Sequence, residues 1–203
     1  QGAIYDPSDM STLLQDSAGT VPVTAVEQPV GRILDKSGRG NHATQATATA
    51  RPVLSARVNP VLATENFAAA NWARHNATAA ADKLTPTATF DEHLAYQSAI
   101  PAAVVGNSYT HTMEFKAGGY EWVAAVIEIN GNTYGKHVNL TTGAIGGTYG
   151  NAPDNIVVTN AGDGYWRVSV TKVATTTAQV YSSFYVASAD GVVSFAGDGT
   201  SAV

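Results

Sequence analysis

Hydrophobic and polar residues alternate strictly between residues 108 and 116. Tyr109, His111, Met113 and Phe115 fall on one side, and Thr110, Thr112, Glu114 and Lys116 on the other. A period of two is the signature of a half-buried antiparallel strand. After the turn Ala117-Gly118-Gly119, residues 121–129 carry an apolar row of Val123, Ala125, Ile127 and Ile129, with Trp122 and Glu128 pointing the opposite way. Further strands are expected over 133–140, 155–159, 165–173 and 179–187, and upstream over 82–85 and 93–100. Turn clusters such as Thr141-Thr142-Gly143, residues 160–164 and Asp190-Gly191 separate them. About eight short strands at this spacing predict an all-β chain built as an antiparallel β-sandwich, most simply a jelly roll.

The first 55 residues read differently. Pro7, Pro22, Pro29 and Pro52 and Gly19, Gly31, Gly38 and Gly40 interrupt any periodicity, so residues 1–55 are expected to form an extended, mostly irregular arm that docks to neighbours. One short helical turn is expected over residues 9–15, with Ser8 or Asp9 as its cap. Residues 43–50 are almost purely Ala and Thr, which lack the bulk for a core. The boundary is placed near residues 51–60, leaving residues 56–203 as the sandwich.

Composition adds exclusions. Of 203 residues only 13% are charged, about half the share in an average soluble domain, and Ala, Thr and Gly dominate. A net charge of -5 with no Lys/Arg block removes the electrostatic footprint of a nucleic-acid binder. The longest apolar runs, 122–127 and 99–105, are far short of the roughly 20 residues of a membrane span, so no membrane insertion is expected. With no cysteine there is neither a disulfide framework nor a thiolate metal site. The first residues lack the basic-then-apolar pattern of a signal peptide.

Two groups of residues carry a family resemblance. Residues 5–13, Gln15-Asp16-Ser17, Pro29-Val30-Gly31 and above all residues 34–46, from Leu34-Asp35-Lys36-Ser37-Gly38 to Gln45-Ala46, resemble a segment recurrent in tail and other structural proteins of bacteriophages and prophages. The later stretch, with Glu65-Asn66-Phe67, Asn71-Trp72, Ser108-Tyr109-Thr110, residues 115–118, residues 164–168 and residues 197–201, resembles the carbohydrate-binding-module-like jelly roll of phage virion proteins, a concanavalin-like lectin architecture. Together the resemblances cover nearly the whole chain. They imply a virion protein whose partners are other virion subunits, a homo-oligomer that is trimeric by analogy with tail fibres, and host surface polysaccharide as the bound partner. In such relatives a last apolar strand follows the Gly-Asp-Gly-Thr segment, so the sandwich is expected to lack its final strand here. The resemblance fixes neither ligand nor virion position.

Enzyme signatures are missing: the sequence holds no G-x-S-x-G, H-E-x-x-H, P-loop or EF-hand loop. Glu114, Glu121 and Glu128 are the carboxylates a glycosidase would have to pair, and solvated surface charge is their ordinary reading. His111 lies on the apolar side of its strand and reads as a core histidine. Asp35 and Asn41 flank a Gly-rich turn and are candidate calcium ligands, with side-chain bonds that fix the turn as the ordinary explanation. Sugar recognition needs flat aromatic surface with amide and carboxylate groups beside it. Tyr181 and Tyr185 share one side of their strand, Trp122 points away from its aliphatic row, and Asn132 and Tyr134 lie in the next turn. These five are the candidate carbohydrate-binding residues. The same aromatics also suit a decoration protein without ligand, where they fill subunit contacts.

Overall fold

A computed structural model describes residues 2–25, 28–54, 61, 66–100 and 102–203. The chain divides into two compact units, Gln1–Val58 and Asn59–Val203. The boundary expected between residues 55 and 56 lies outside the described residues, as does Glu65.

The first unit is irregular in the main, as its prolines and glycines dictate, and it is gathered rather than strung out. A 3-10 turn Met10–Thr12 is capped by Asp9, whose carboxylate accepts the Ser11 N–H. Three two-residue strands, β1 (Leu13–Leu14), β2 (Arg32–Ile33) and β3 (Ala43–Thr44), pair antiparallel in that order. Leu13, Val23 and Val30 form a small apolar cluster beneath them. A second 3-10 turn, Ala48–Ala50, occupies the Ala/Thr run.

The second unit holds twelve strands among the described residues. They are β4 (Ala73–His75), β5 (Ala77–Ala80), β6 (Lys83–Pro86), β7 (Phe90–Ile100), β8 (Ser108–Lys116) and β9 (Trp122–Ile129), then β10 (Asn132–Asn139), β11 (Ile145–Gly150), β12 (Asn155–Gly162), β13 (Tyr165–Val173), β14 (Val180–Ala187) and β15 (Ser194–Ala196). The larger sheet runs β11-β10-β9-β14-β7-β15, with β4 also paired to β7. A three-stranded sheet, β12-β13-β8, and the hairpin β5-β6 complete the unit, and every ladder is antiparallel. This is the expected all-β fold class with the layered packing of a β-sandwich. Eight of its strands lie where the alternation predicted them. The four short ones, β4, β5, β11 and β15, are Ala- and Gly-rich or only three residues long and give almost no periodic signal.

The core lies between the larger sheet and the three-stranded one. Val123, Ala125, Ile127 and Ile129 of β9 and Phe184 and Val186 of β14 meet Phe115 of β8 and Val168 and Val170 of β13, all buried. Phe184 is its centre, with ring centroids 5.0 Å from Phe67, 5.2 Å from Phe115 and 6.3 Å from Trp72. On the far side of the three-stranded sheet the cross-strand neighbours are polar. Thr110 pairs with Thr171 and Thr112 with Ser169, each hydroxyl to hydroxyl at 2.9 Å, and Arg167 donates two bonds to Glu114. Trp166 takes the side of Phe115, its register partner, and its ring comes so close to Gly143 that any Cβ there would overlap it. At the end of the described chain, Ala202 exchanges hydrogen bonds with Gly118, and Val203 with Leu84 of β6.

Candidate functional site

The larger sheet has a second face, and register decides what stands on it. Residues of β9 alternate, so when Val123, Ala125, Ile127 and Ile129 turn to the core, Trp122, Ala124, Val126 and Glu128 turn away. Tyr181 lies opposite Glu128, Ser183 opposite Val126, Tyr185 opposite Ala124 and Ala187 opposite Trp122. On the other side of β9, Thr133, Gly135, His137 and Asn139 occupy the matching positions of β10. Beyond β14 come Leu94 and Tyr96 of β7, and beyond β10 comes Tyr149 of β11, opposite Gly135. This outer face has its own apolar cluster: Leu94, Ala124, Val126, Tyr185, Ala187 and Val193 are buried, with Tyr96, Trp122 and Tyr149 half-buried against them.

Small residues make the floor and rings make the relief. Ala124, Val126 and Gly135 keep the middle strands low; at Gly135 a Cβ would come within 2.7 Å of the Ala125 carbonyl oxygen. Tyr149 and Tyr185 lie with centroids 4.6 Å apart and planes at 39°, and Tyr96 stands 6.4 Å from Tyr181. The Tyr149 hydroxyl donates to Glu92 Oε1 at 3.1 Å. Burial, reinforced by the Tyr185 hydroxyl and the Glu92 carboxylate, pushes the Tyr149 phenol well above its usual range. Burial likewise raises Tyr185, with the Glu92 and Glu128 carboxylates adding to the effect and a bond from Tyr149 opposing it. Both phenols therefore stay protonated donors at neutral pH. His137 sits at the edge of this face, 2% exposed, with Nδ1 3.3 Å from the Gly147 carbonyl oxygen and 3.8 Å from Asp190 Oδ1. Asp190 also accepts the Gly147 N–H at 2.7 Å, so its carboxylate ties the hairpin after β14 to β11 rather than closing its own turn. Chemically, this surface presents aromatic planes, phenolic donors and carboxylate acceptors side by side, which is what the apolar face and the hydroxyls of a pyranose require.

Of the five expected carbohydrate-binding residues, the structure brings Trp122, Tyr181 and Tyr185 onto this face and leaves Asn132 and Tyr134 off it. The reason is the position of the turn. Asn130 (φ 56°) and Gly131 (φ 72°) form the two-residue hairpin loop, an Asn-Gly pair suited to positive φ, so the strand starts at Asn132. Tyr134 then falls opposite Ile127, on the core side. There it lines a small pocket with Asn132, Lys172 and Thr175 at the end of the sandwich. Lys172 Nζ stands 4.7 Å above the Tyr134 ring while bonding Asp154 at 2.7 Å, so that ring face is already taken.

The carboxylates scatter. Glu114 is held by Arg167 on the outside of the three-stranded sheet, Glu121 precedes β9, and Glu128 alone joins the aromatic face. Asp35 is the hub of the N-terminal unit. Its two oxygens accept the N–H groups of Ile4 (2.9 Å), Ser37 (2.8 Å) and Asn41 (3.1 Å) and the Ser37 hydroxyl (2.7 Å). Those donors hold its carboxyl far below the usual carboxylate range. Asn41 enters this arrangement through its backbone, its carbonyl accepting the Tyr5 hydroxyl. Donors thus fill the positions a calcium ion would need, and the turn accounts for both residues. Among the described residues no three His, Asp or Glu side chains gather as a metal site.

Glu92, Tyr96, His137 and Tyr149 are the members of the face that sequence reasoning did not single out. Tyr96 and Glu92 carried a usable signal, since β7 alternates Glu92-Leu94-Tyr96 against His93-Ala95-Gln97. Tyr149 carried none, because it lies in the segment Gly146-Gly147-Thr148-Tyr149-Gly150, which reads as loop. No protein-family model and no curated protein matches the chain.

Proposed function

We propose that this chain is a non-enzymatic structural protein of a phage virion, of the tail-fibre, spike or head-fibre kind, whose β-sandwich binds host cell-surface glycan. One observation carries the binding half: Trp122, Tyr181 and Tyr185 stand on a single sheet face together with Tyr96 and Tyr149, with Glu92 and Glu128 beside them. The virion half rests on the resemblance of residues 5–46 and 65–201. On that reading residues 1–55 dock to neighbouring subunits, the assembly is a homo-oligomer, trimeric by analogy, and the particle is where the protein works. The test is a polysaccharide pull-down and glycan array with the wild-type protein and the Trp122→Ala, Tyr181→Ala double variant. Removing two stacking rings is expected to weaken retention at least about tenfold. A double variant that binds as well as wild type removes the face from the proposal.

The other reading is a decoration protein without ligand. It draws on the burial of Tyr185, 7% exposed, because a ring already covered by its neighbours offers little to a sugar. In that case the array stays blank and Trp122 is shielded from quenchers only in the assembled particle.

A further inference from the structure

The aromatic face is electrostatically one-sided. At the outward positions of the larger sheet stand Glu92 and Glu128, and Asp190 reaches the same side through Gly147 and His137. No Lys or Arg occupies any outward position of the described strands β7, β9, β10 and β14. The nearest cations of those strands point elsewhere: Lys136 is opposite Ala125 and so on the core side. Among the described residues the other ionisable side chains at outward positions are the phenols of Tyr96, Tyr149, Tyr181 and Tyr185, the imidazole of His137 and, at the edge strand β4, that of His75, which bonds to Asp91. Neither Glu92 nor Glu128 has a basic partner among the described residues; Glu92 accepts only the neutral Tyr149 hydroxyl. Both carboxylates are close enough to Tyr185 to raise its phenol.

A second observation points to a ligand here. His137 Nε2 and Ser183 Oγ have no hydrogen-bond partner among the described residues, although the two residues are 2% and 3% exposed. Both belong to outward positions, His137 beside Ala124 and Ser183 between Tyr181 and Tyr185. His111 Nε2 and Ser182 Oγ are likewise unpartnered among the described residues but lie on the core side, whereas His137 Nε2 and Ser183 Oγ are at outward positions, where each can take one further hydrogen bond from a group seated on the face.

Resting on the glycan-binding reading above, we infer that this face selects its glycan by charge: it takes sugars without anionic groups, with protonated amino sugars favoured, and it turns away sulfated, phosphorylated and uronic-acid glycans. Carboxylates and aromatic planes together suit a hydroxyl-rich or ammonium-bearing ring, and the ammonium gains from the ring quadrupoles as well. An added anion meets two or three unneutralised carboxylates with no cation to receive it.

The experiment is a glycan array that carries each backbone in matched neutral, amine-bearing and sulfated forms, probed with the intact chain at low salt and again at high salt. The expected result is retention of neutral and amine forms, with the sulfated form about tenfold weaker at low salt and the gap narrowing as salt screens it. The Glu92→Gln, Glu128→Gln double variant is read by the ratio of sulfated to neutral retention, which is expected to move most of the way to one whatever the loss of either form. Equal binding of sulfated and neutral forms, or an unchanged gap in the double variant, overturns the charge selection and leaves glycan binding standing. A blank array in every form overturns both.

Discussion

His111 offers a sharp test of the packing between the two sheets. It lies on the core side of β8, 6% exposed, with Nδ1 2.9 Å from the Val126 carbonyl oxygen and Nε2 without a partner among the described residues. Burial depresses its pKa from 6.5 to about 4, the hydrogen bond to Val126 opposing that only in part. The folded chain therefore keeps the ring neutral where the unfolded chain would protonate it. Stability from this group is complete above pH 6.5 and drains away as the pH falls towards 4. At about 1.4 kcal/mol per pH unit the loss reaches about 2 to 3 kcal/mol near pH 4.5. His111→Gln keeps a donor for Val126 and removes the titration. Urea unfolding followed by tryptophan fluorescence suits the measurement, because Trp72, Trp122 and Trp166 all belong to the sandwich unit. The wild type should lose about 2 to 3 kcal/mol more than the variant between pH 7 and pH 4.5. Identical pH slopes in the two proteins would refute the burial of a neutral imidazole at this position.

Phe184→Ala removes the ring on which Phe67, Trp72 and Phe115 converge, and should cost about 3 to 5 kcal/mol in the same urea experiment; a cost below 1 kcal/mol would mean that the core closes up around the gap. Asp35→Asn takes away the charge on which three N–H groups and a hydroxyl converge. Amide exchange at Ile4, Ser37 and Asn41 should accelerate, with the fluorescence melt of the sandwich unchanged, and unaltered exchange would contradict the hub. Because the folded carboxyl titrates below its ordinary 3.8, the same amides in the wild type should lose protection as the pH drops beneath that value and keep it above.

Alternation made most of the sandwich legible. β8, β9, β13 and β14 each set one apolar row against the core, so their bounds and the outward side of Trp122, Tyr181 and Tyr185 could be read from spacing alone. What failed had physical causes. Tyr134 was read as a turn residue, but the two-residue Asn130-Gly131 loop closes the turn before Asn132, so Tyr134 lies within β10 opposite Ile127 and takes the core side. β11 was invisible because Gly146, Gly147 and Gly150 carry no side chain to alternate, yet it delivers Tyr149. Asp190 was read as a turn residue, and only the three-dimensional approach of β11 and β14's hairpin gives its carboxylate a partner at Gly147. The compactness of the first unit was hidden for a similar reason: Asp35 joins Ile4, Ser37 and Asn41, and a contact spanning 31 residues leaves no local pattern.

The placement of β14 between β9 and β7 bears on how the protein is made. Its partners lie about sixty and about ninety residues upstream, so the middle of the larger sheet cannot be closed until residues 180–187 have left the ribosome. At synthesis rates of roughly 5–20 residues per second, β7 and β9 wait seconds with an edge unfilled. During that interval β9 can pair with β10 and β7 with β4, and the three-stranded sheet can form, but the two halves of the larger sheet stay unjoined, and closing them is slow because the loops are long. The nascent chain is thus exposed to association through β7 and β9 in a way the finished sandwich is not, and a pause in translation just before residue 180 should increase its dependence on chaperones.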